Sequence, residues 1–217
     1  MGKSSYFLDW ANLNRYANDN SRIESDTKEQ NSIVFIGDSI TEAWENIDPS
    51  FFTDKPYINR GISGQTSPQI LLRFRADVIN LNPVLVVILA GTNDIAGNTG
   101  PSTLDMILNN IISMAELARC NNIKTILCSV LPAFKYKWRP EIEPALKIIR
   151  INEMIREYAL KNDITYVDYH SAMTNNCKGL HSDYSEDGVH PNLAGYKIMT
   201  PLIENSIETV LEQIKLE

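Results

Sequence analysis

Five short apolar runs recur along the chain: Ile33 to Ile36, Tyr57-Ile58-Asn59, Val84 to Ala90, Ile123 to Leu131 and Ile164 to Val167. Their length and β-branched content predict strands, and the unbroken run VLVVILA at Val84 to Ala90 has the pattern of a central parallel strand covered on both faces. Helical spacing fills the intervals. It runs from Ser39 to about Glu45, over Pro68 to Val78, over Thr103 to Ala118 with Ser102 as the cap, and over Ala145 to Leu160. A last helix is expected over Asn192 to Leu216, with Pro201 breaking or restarting it. Ahead of the first strand, Phe7 to Arg22 reads as an amphipathic helix, joined to the core by a charged, turn-prone connection from Ser21 to Ser32. Asn46 to Lys55, Pro132 to Pro144 and His170 to Val189 are loop-like. Strands alternating with helices imply an α/β fold with a parallel sheet and helices on both faces, in which function collects outside the strand carboxyl ends.

Composition narrows the function classes. The 217 residues, 43% apolar and 22% charged, carry no Pro/Gly/Ser-rich linker, so one domain spans 1–217, with residues 1–30 a helical extension packed on it. A net charge of −7 argues against nucleic acid, which needs clustered Lys and Arg. Cys120, Cys128 and Cys177 form no CxxC pair and indicate neither a disulfide framework nor structural zinc. The apolar runs fall short of a membrane span, and Met1 to Trp10 lacks a signal peptide's apolar stretch. The chain as written is expected in the cytoplasm; a periplasmic or secreted protein trimmed of its signal would read the same. Apolar residues on Phe7 to Tyr16 or on the last helix would serve a homodimer, although such stripes more often pack internally.

Four polar clusters follow apolar strands or precede the final helix: Gly37-Asp38-Ser39, Arg60-Gly61, Gly91-Thr92-Asn93-Asp94 and Asp187-Gly188-Val189-His190-Pro191. Singly, each is ordinary turn chemistry. Ser39 would serve as a helix N-cap, with Glu42 three residues on as the partner in a capping box. Brought to one sheet edge, they supply what acyl transfer requires. Ser39 is the nucleophile, His190 the base, and Asp187 the carboxylate that orients the imidazole. The Ser39 and Gly61 N–H groups and the Asn93 amide are the oxyanion donors.

These blocks, in this order, resemble the SGNH (GDSL) hydrolase superfamily: Gly37-Asp38-Ser39, Gly61, Gly91-x-Asn93-Asp94 and Asp187-x-x-His190, spanning Ile33 to about Gly195. The resemblance implies a flavodoxin-like α/β/α sandwich on a five-stranded parallel sheet, a Ser-His-Asp mechanism without cofactor or metal, and ester hydrolysis. It extends with less force to Arg60 and Gln65. The aromatic, basic loop with Phe134, Trp138 and Arg139, together with Asp38, Trp44 and Arg60, is a candidate substrate pocket. The chain carries no long apolar insertion to house a fatty acyl tail. The expected substrate is therefore a short acyl ester, and the resemblance, whose similar subgroups include carbohydrate O-acetylesterases, implies acetyl on carbohydrate as the leading choice. A lysophospholipase, thioesterase or platelet-activating-factor acetylhydrolase-like activity is the alternative.

Readings from other classes fit less well. His181, Asp183, Glu186, Asp187 and His190 crowd one loop with ligand-competent side chains, but their spacing matches no helix-based metal pair. A nucleotide or flavin module would need a glycine-rich phosphate loop where this chain has Gly37-Asp38-Ser39, whose carboxylate repels phosphate. A catalytically inert interaction protein is disfavoured because every residue the chemistry needs is present.

Overall fold

The computed structural model describes residues 9–25 and 31–216. Outside them lie the start of the helix expected over Phe7 to Arg22, most of the leader reading of Met1 to Trp10, and the middle of the connection after Ser21. Five strands, β1 (Ile33–Gly37), β2 (Tyr57–Gly61), β3 (Leu85–Leu89), β4 (Lys124–Cys128) and β5 (Thr165–Val167), form one sheet in the order β2-β1-β3-β4-β5. Every neighbouring pair is parallel. This is the expected α/β class, with strand order reversing between β1 and β3, where doubly wound sheets hold their ligands.

Period-two alternation divides each strand between two cores. Val34, Ile36, Val86 and Ile88 face α3 (Ser67–Asp77), α5 (Leu104–Cys120) and α6 (Ala145–Lys161), packing on Ile70, Phe74, Ile107, Ile111, Ile151 and Ile155. Ile33, Phe35, Leu85 and Val87 face α2 (Ser39–Ile47) and α8 (Leu193–Leu216), packing on Ile40, Trp44, Met199, Ile203 and Ile207. Each such side chain, fully buried, contributes about 1.5–3 kcal/mol. No helix among the described residues is long and apolar enough to cross a membrane.

Several elements depart from the sequence expectation for identifiable reasons. The N-terminal helix, α1, covers only Ala17–Ser25. Upstream, the Asp9 carboxylate accepts the N–H groups of Leu13 at 2.7 Å and Asn14 at 2.9 Å, which folds residues 9–16 into successive turns. α5 is capped by Thr103, whose hydroxyl takes the Met106 N–H, and not by Ser102. α8 runs unbroken through Pro201, which lies on its exposed face, where solvent can take the carbonyl the proline leaves unpaired. The loop from His170 to Val189 contains the end of a short helix, α7 (Tyr169–Met173), and a 3-10 turn at Ser182–Tyr184.

The site edge is braced from below by a buried arginine. Arg73, on α3, is fully buried; its Nη2 donates to the Gly37 carbonyl at 2.9 Å, its Nε to Gln65 Oε1 at 2.6 Å and its Nη1 to Asp77 Oδ2 at 2.9 Å. Burial lowers the Arg73 pKa and the Asp77 charge opposes that shift. Asn20 on α1 donates to Asp77 Oδ1 at 2.7 Å and accepts from Arg60 Nε at 2.9 Å, tying α1 into the same network. Removing one member of a buried ion pair strands the other. Arg73→Ala is therefore expected to lose about 3–5 kcal/mol of stability in urea unfolding, and Arg73→Lys to recover only part, because an ammonium cannot span three acceptors in one plane.

Candidate active site

The first strand ends at Gly37, where α2 descends onto the sheet. A Cβ at Gly37 would stand 2.2 Å from Thr41 Oγ1, and one at Gly61 2.1 Å from the Glu42 nitrogen, so both glycines exist to let that helix close on the strand ends. The helix N-cap is Asp38: its Oδ1 accepts the Ile40 N–H at 2.9 Å. Ser39 is thus the first helical residue and not the cap, and the capping box expected from Glu42 does not form. Glu42 instead accepts the Ser63 N–H at 2.9 Å and pairs with Arg15 at 3.0 Å.

Ser39, only 9% exposed, places Oγ 2.9 Å from His190 Nε2. His190 Nδ1 lies 2.7 Å from Asp187 Oδ2. The other Asp187 oxygen accepts the backbone N–H groups of Val189 and His190, each at 2.8 Å, and the Ser185 hydroxyl at 3.1 Å. Burial pushes Asp187 up, but the His190 ring and these backbone donors outweigh it and hold the carboxyl at about 2. The three side chains expected to converge do so, from the ends of β1 and the loop before α8. That loop is secured to α2 by Tyr196, whose hydroxyl donates to the Ile40 carbonyl at 2.7 Å.

Asn93 is the second residue of α4 (Thr92–Ile95), beyond β3. Its Nδ2 donates to the Gln65 carbonyl at 3.0 Å and to Asp38 Oδ2 at 3.2 Å, while its Oδ1 accepts from Asn98 at 2.8 Å. Gly61 corrects the sequence expectation: it is buried and its N–H is committed to Asn59 Oδ1 at 2.9 Å, leaving no donor for an oxyanion. Gly64, three residues on, is exposed with φ +78 and space where a Cβ would be, and its N–H has no hydrogen-bond partner among the described residues. Asn98 bridges the Gly64 carbonyl and Asn93 Oδ1, so the two sit side by side. The signal for Gly64 was present in the run Gly61-Ile62-Ser63-Gly64-Gln65, but spacing alone does not say which glycine turns its amide outward.

The suggested pocket residues separate into two groups. Trp138 and Arg139 line a cavity of about 760 Å³ with Trp10, Asn12, Ser63 and Gly64, and the Trp138 ring lies 6.3 Å from that of His190. The others do not line it. Trp44 is core, stacked on Phe51 at 4.4 Å and Tyr196 at 5.1 Å, because it lies on the buried face of α2. Arg60 is buried in an ion pair with Asp19 at 2.7 Å. Asp38 is buried, and Phe134 projects outward with its backbone against Gly179. In the acidic loop, His181 accepts the Asp183 N–H and Asp187 holds His190; among the described residues no three His, Cys, Asp or Glu side chains gather to hold a metal ion.

Residues 35–198 match the family model described as GDSL-like lipase/acylhydrolase. The crystal structure of a GDSL-like lipase from Bacteroides thetaiotaomicron VPI-5482 superposes with a TM-score of 0.89 at 51% identity, covering 93% of this chain and 99% of that one. The esterase TesA of Pseudomonas aeruginosa is 28% identical over 176 residues, 75% of this chain and 81% of that protein. The acetylxylan esterase Axe2 of Geobacillus stearothermophilus shares the fold, with a TM-score of 0.64 at 21% identity over 82% of this chain and 96% of that one.

Asp38 and Asp187 shift in opposite directions, which separates them experimentally. Burial raises Asp38 to about 6, against the Ile40 N–H and the charge of His190. An acid raised on folding binds its proton more tightly when folded, so its contribution declines as pH climbs from about 4 to 6. Asp187, lowered to about 2, contributes stability above its unfolded value of about 4 that is lost as pH falls towards 2. Urea midpoints are expected to rise for Asp38→Asn relative to the parent between pH 4 and 7. For Asp187→Asn the acid loss between pH 4 and 2.5 is expected to be smaller than the parent's.

Proposed function

The chain belongs to the GDSL-like lipase/acylhydrolase family of the SGNH superfamily and is a carboxylic ester hydrolase, and from this premise we propose that it works through Ser39, His190 and Asp187 on short-chain acyl esters. The observation that carries the reading is the continuous chain of contacts from Ser39 Oγ to His190 Nε2 at 2.9 Å and from His190 Nδ1 to Asp187 Oδ2 at 2.7 Å. His190 takes the Ser39 proton as Oγ attacks the ester carbonyl, and Asp187 fixes the ring so that Nε2 is free to accept it. The tetrahedral oxyanion is received by the Ser39 N–H, which as a first-turn amide has no helix carbonyl ahead of it, by Gly64 N–H, and by Asn93 Nδ2 in place of its longer bond to Asp38. The positive end of α2 adds to this field. Collapse breaks the bond to the leaving alcohol, which departs with the proton from His190. Water, deprotonated by the same imidazole, then attacks the acyl-enzyme, releasing the acid and restoring Ser39.

The cavity beside the triad favours a polar leaving group over a lipid tail: among the described residues Ile62 is its one aliphatic side chain, set among Asn12, Asn14, Ser63, Asn98 and Thr99. Acetyl esters of carbohydrate suit it, in keeping with the fold shared with a protein named acetylxylan esterase.

p-Nitrophenyl acetate hydrolysis is expected to vanish in Ser39→Ala; equal activity in both proteins would remove Ser39 from the mechanism. Across p-nitrophenyl esters of increasing length, kcat/KM is expected to be highest for acetate, and a preference for octanoate would overturn the short-acyl assignment. Asn93→Ala is expected to lower kcat by about 10²–10³, the loss of one oxyanion donor.

A further inference from the structure

Residues 9–16 lie outside the family match, which begins at residue 35, yet they form one wall of the cavity that opens beside the triad. They are held there firmly. Gln69 Nε2 donates to the Trp10 carbonyl at 2.8 Å and Gln65 Nε2 to the Ala11 carbonyl at 2.7 Å, and Gln65 is itself gripped by buried Arg73. Further along, Arg15 pairs with Glu42 of the nucleophile's helix. Ala11 is buried by this attachment, whereas the Trp10 indole is left 45% exposed with no aromatic partner among the described residues.

Trp138 contributes to another wall of the same cavity. Its ring rests on buried Tyr136 at a 5.0 Å centroid distance, its Nε1 donates to Asn98 Oδ1 at 3.3 Å, and 42% of it stays exposed. In the same lining, the Asn12 amide and the Ser63 hydroxyl make no hydrogen bond among the described residues. The charged lining groups are already engaged. Asp9 accepts the N–H groups of Leu13 and Asn14, and Arg139 Nε pairs with Glu141 at 2.8 Å.

Two exposed indoles, neutral donors and acceptors without partners in the same lining, and charged groups limited to Asp9 and Arg139, each already paired, describe a site for a neutral pyranose chain, whose C–H faces lie on aromatic rings while its hydroxyls take amide and hydroxyl partners. A volume of about 760 Å³ holds more than one sugar ring. We infer that the N-terminal arm, with Trp10 as its platform, forms a subsite for a sugar unit beyond the acylated one, making the enzyme selective for acyl groups on neutral oligosaccharides over the same groups on monosaccharides. This rests on the esterase reading above and adds a residue that sets specificity from outside the catalytic apparatus. Because the arm is already hydrogen-bonded in place, little ordering is needed when a ligand binds.

The test compares O-acetylated cellotetraose with O-acetylated methyl glucoside, read by acetate release, for the parent, Trp10→Ala and Trp10→Phe. The parent is expected to prefer the tetrasaccharide by at least ten-fold in kcat/KM. Trp10→Ala is expected to erase that ratio mainly through KM, and Trp10→Phe, which keeps a ring, to restore most of it. The chain's three tryptophans permit a second readout without turnover: in Ser39→Ala, acetylated cellotetraose is expected to change tryptophan fluorescence, and adding Trp10→Ala is expected to weaken that binding at least ten-fold. A parent indifferent to chain length, or a ratio and binding unmoved by Trp10→Ala, overturns the subsite while leaving p-nitrophenyl acetate hydrolysis through Ser39 intact. Conversely, loss of the Ser39 assignment leaves the fluorescence arm to judge the subsite alone.

Discussion

One guanidinium organises the catalytic edge. Arg73 reaches from α3 to the carbonyl at the end of β1, to the side chain of Gln65 and to Asp77, without contact with solvent. Each of those partners leads to a different part of the candidate site: Gly37 precedes Ser39 by two residues, Gln65 carries both the loop with Gly64 and the N-terminal arm, and Asp77 holds α1 through Asn20. A buried cation is costly to desolvate and is sustained here by a full set of acceptors. The fold thereby couples the placement of Ser39 to the placement of the loop that carries Gly64.

Above that brace, the candidate site draws on three chain segments, each held by its own set of hydrogen bonds. The turn after β1 is set by Asp38 as cap and by two glycines that admit α2 to the sheet edge. The loop before α8 is set by Asp187, which gathers its own backbone amides as well as the imidazole. Asn93 is set by acceptors on the opposite loop and by Asn98. The buried Asp38 carboxyl sits where charge is least welcome, next to Ser39 in the chain, and burial raises its pKa.

Much of this was legible in the residues. The apolar runs placed all five strands because β-branched stretches bounded by turn residues have few other uses, and the polar clusters after them located Ser39, Asn93, Asp187 and His190 at one sheet edge. What escaped depended on three-dimensional partners. Gly61 and Gly64 look alike in a string, but one faces a helix backbone and the other open space. Trp44 and Trp138 are both aromatic residues near polar motifs, yet helix phase turns the first into the core and the second stands on Tyr136 at the surface. Arg73 was hidden within an ordinary helical stripe, and the arm of residues 9–16 gave a helical spacing that Asp9 overrides by accepting its neighbours' amides.

His190 and Asp187 lie three residues apart on a single loop, and the carboxylate binds that loop's own backbone. The imidazole and its partner are therefore carried by one short stretch of chain, and the separation between Nε2 and the Ser39 oxygen is the one link in the chain of contacts that joins two segments. The Tyr196 hydroxyl on the carbonyl of Ile40 ties those same two segments together.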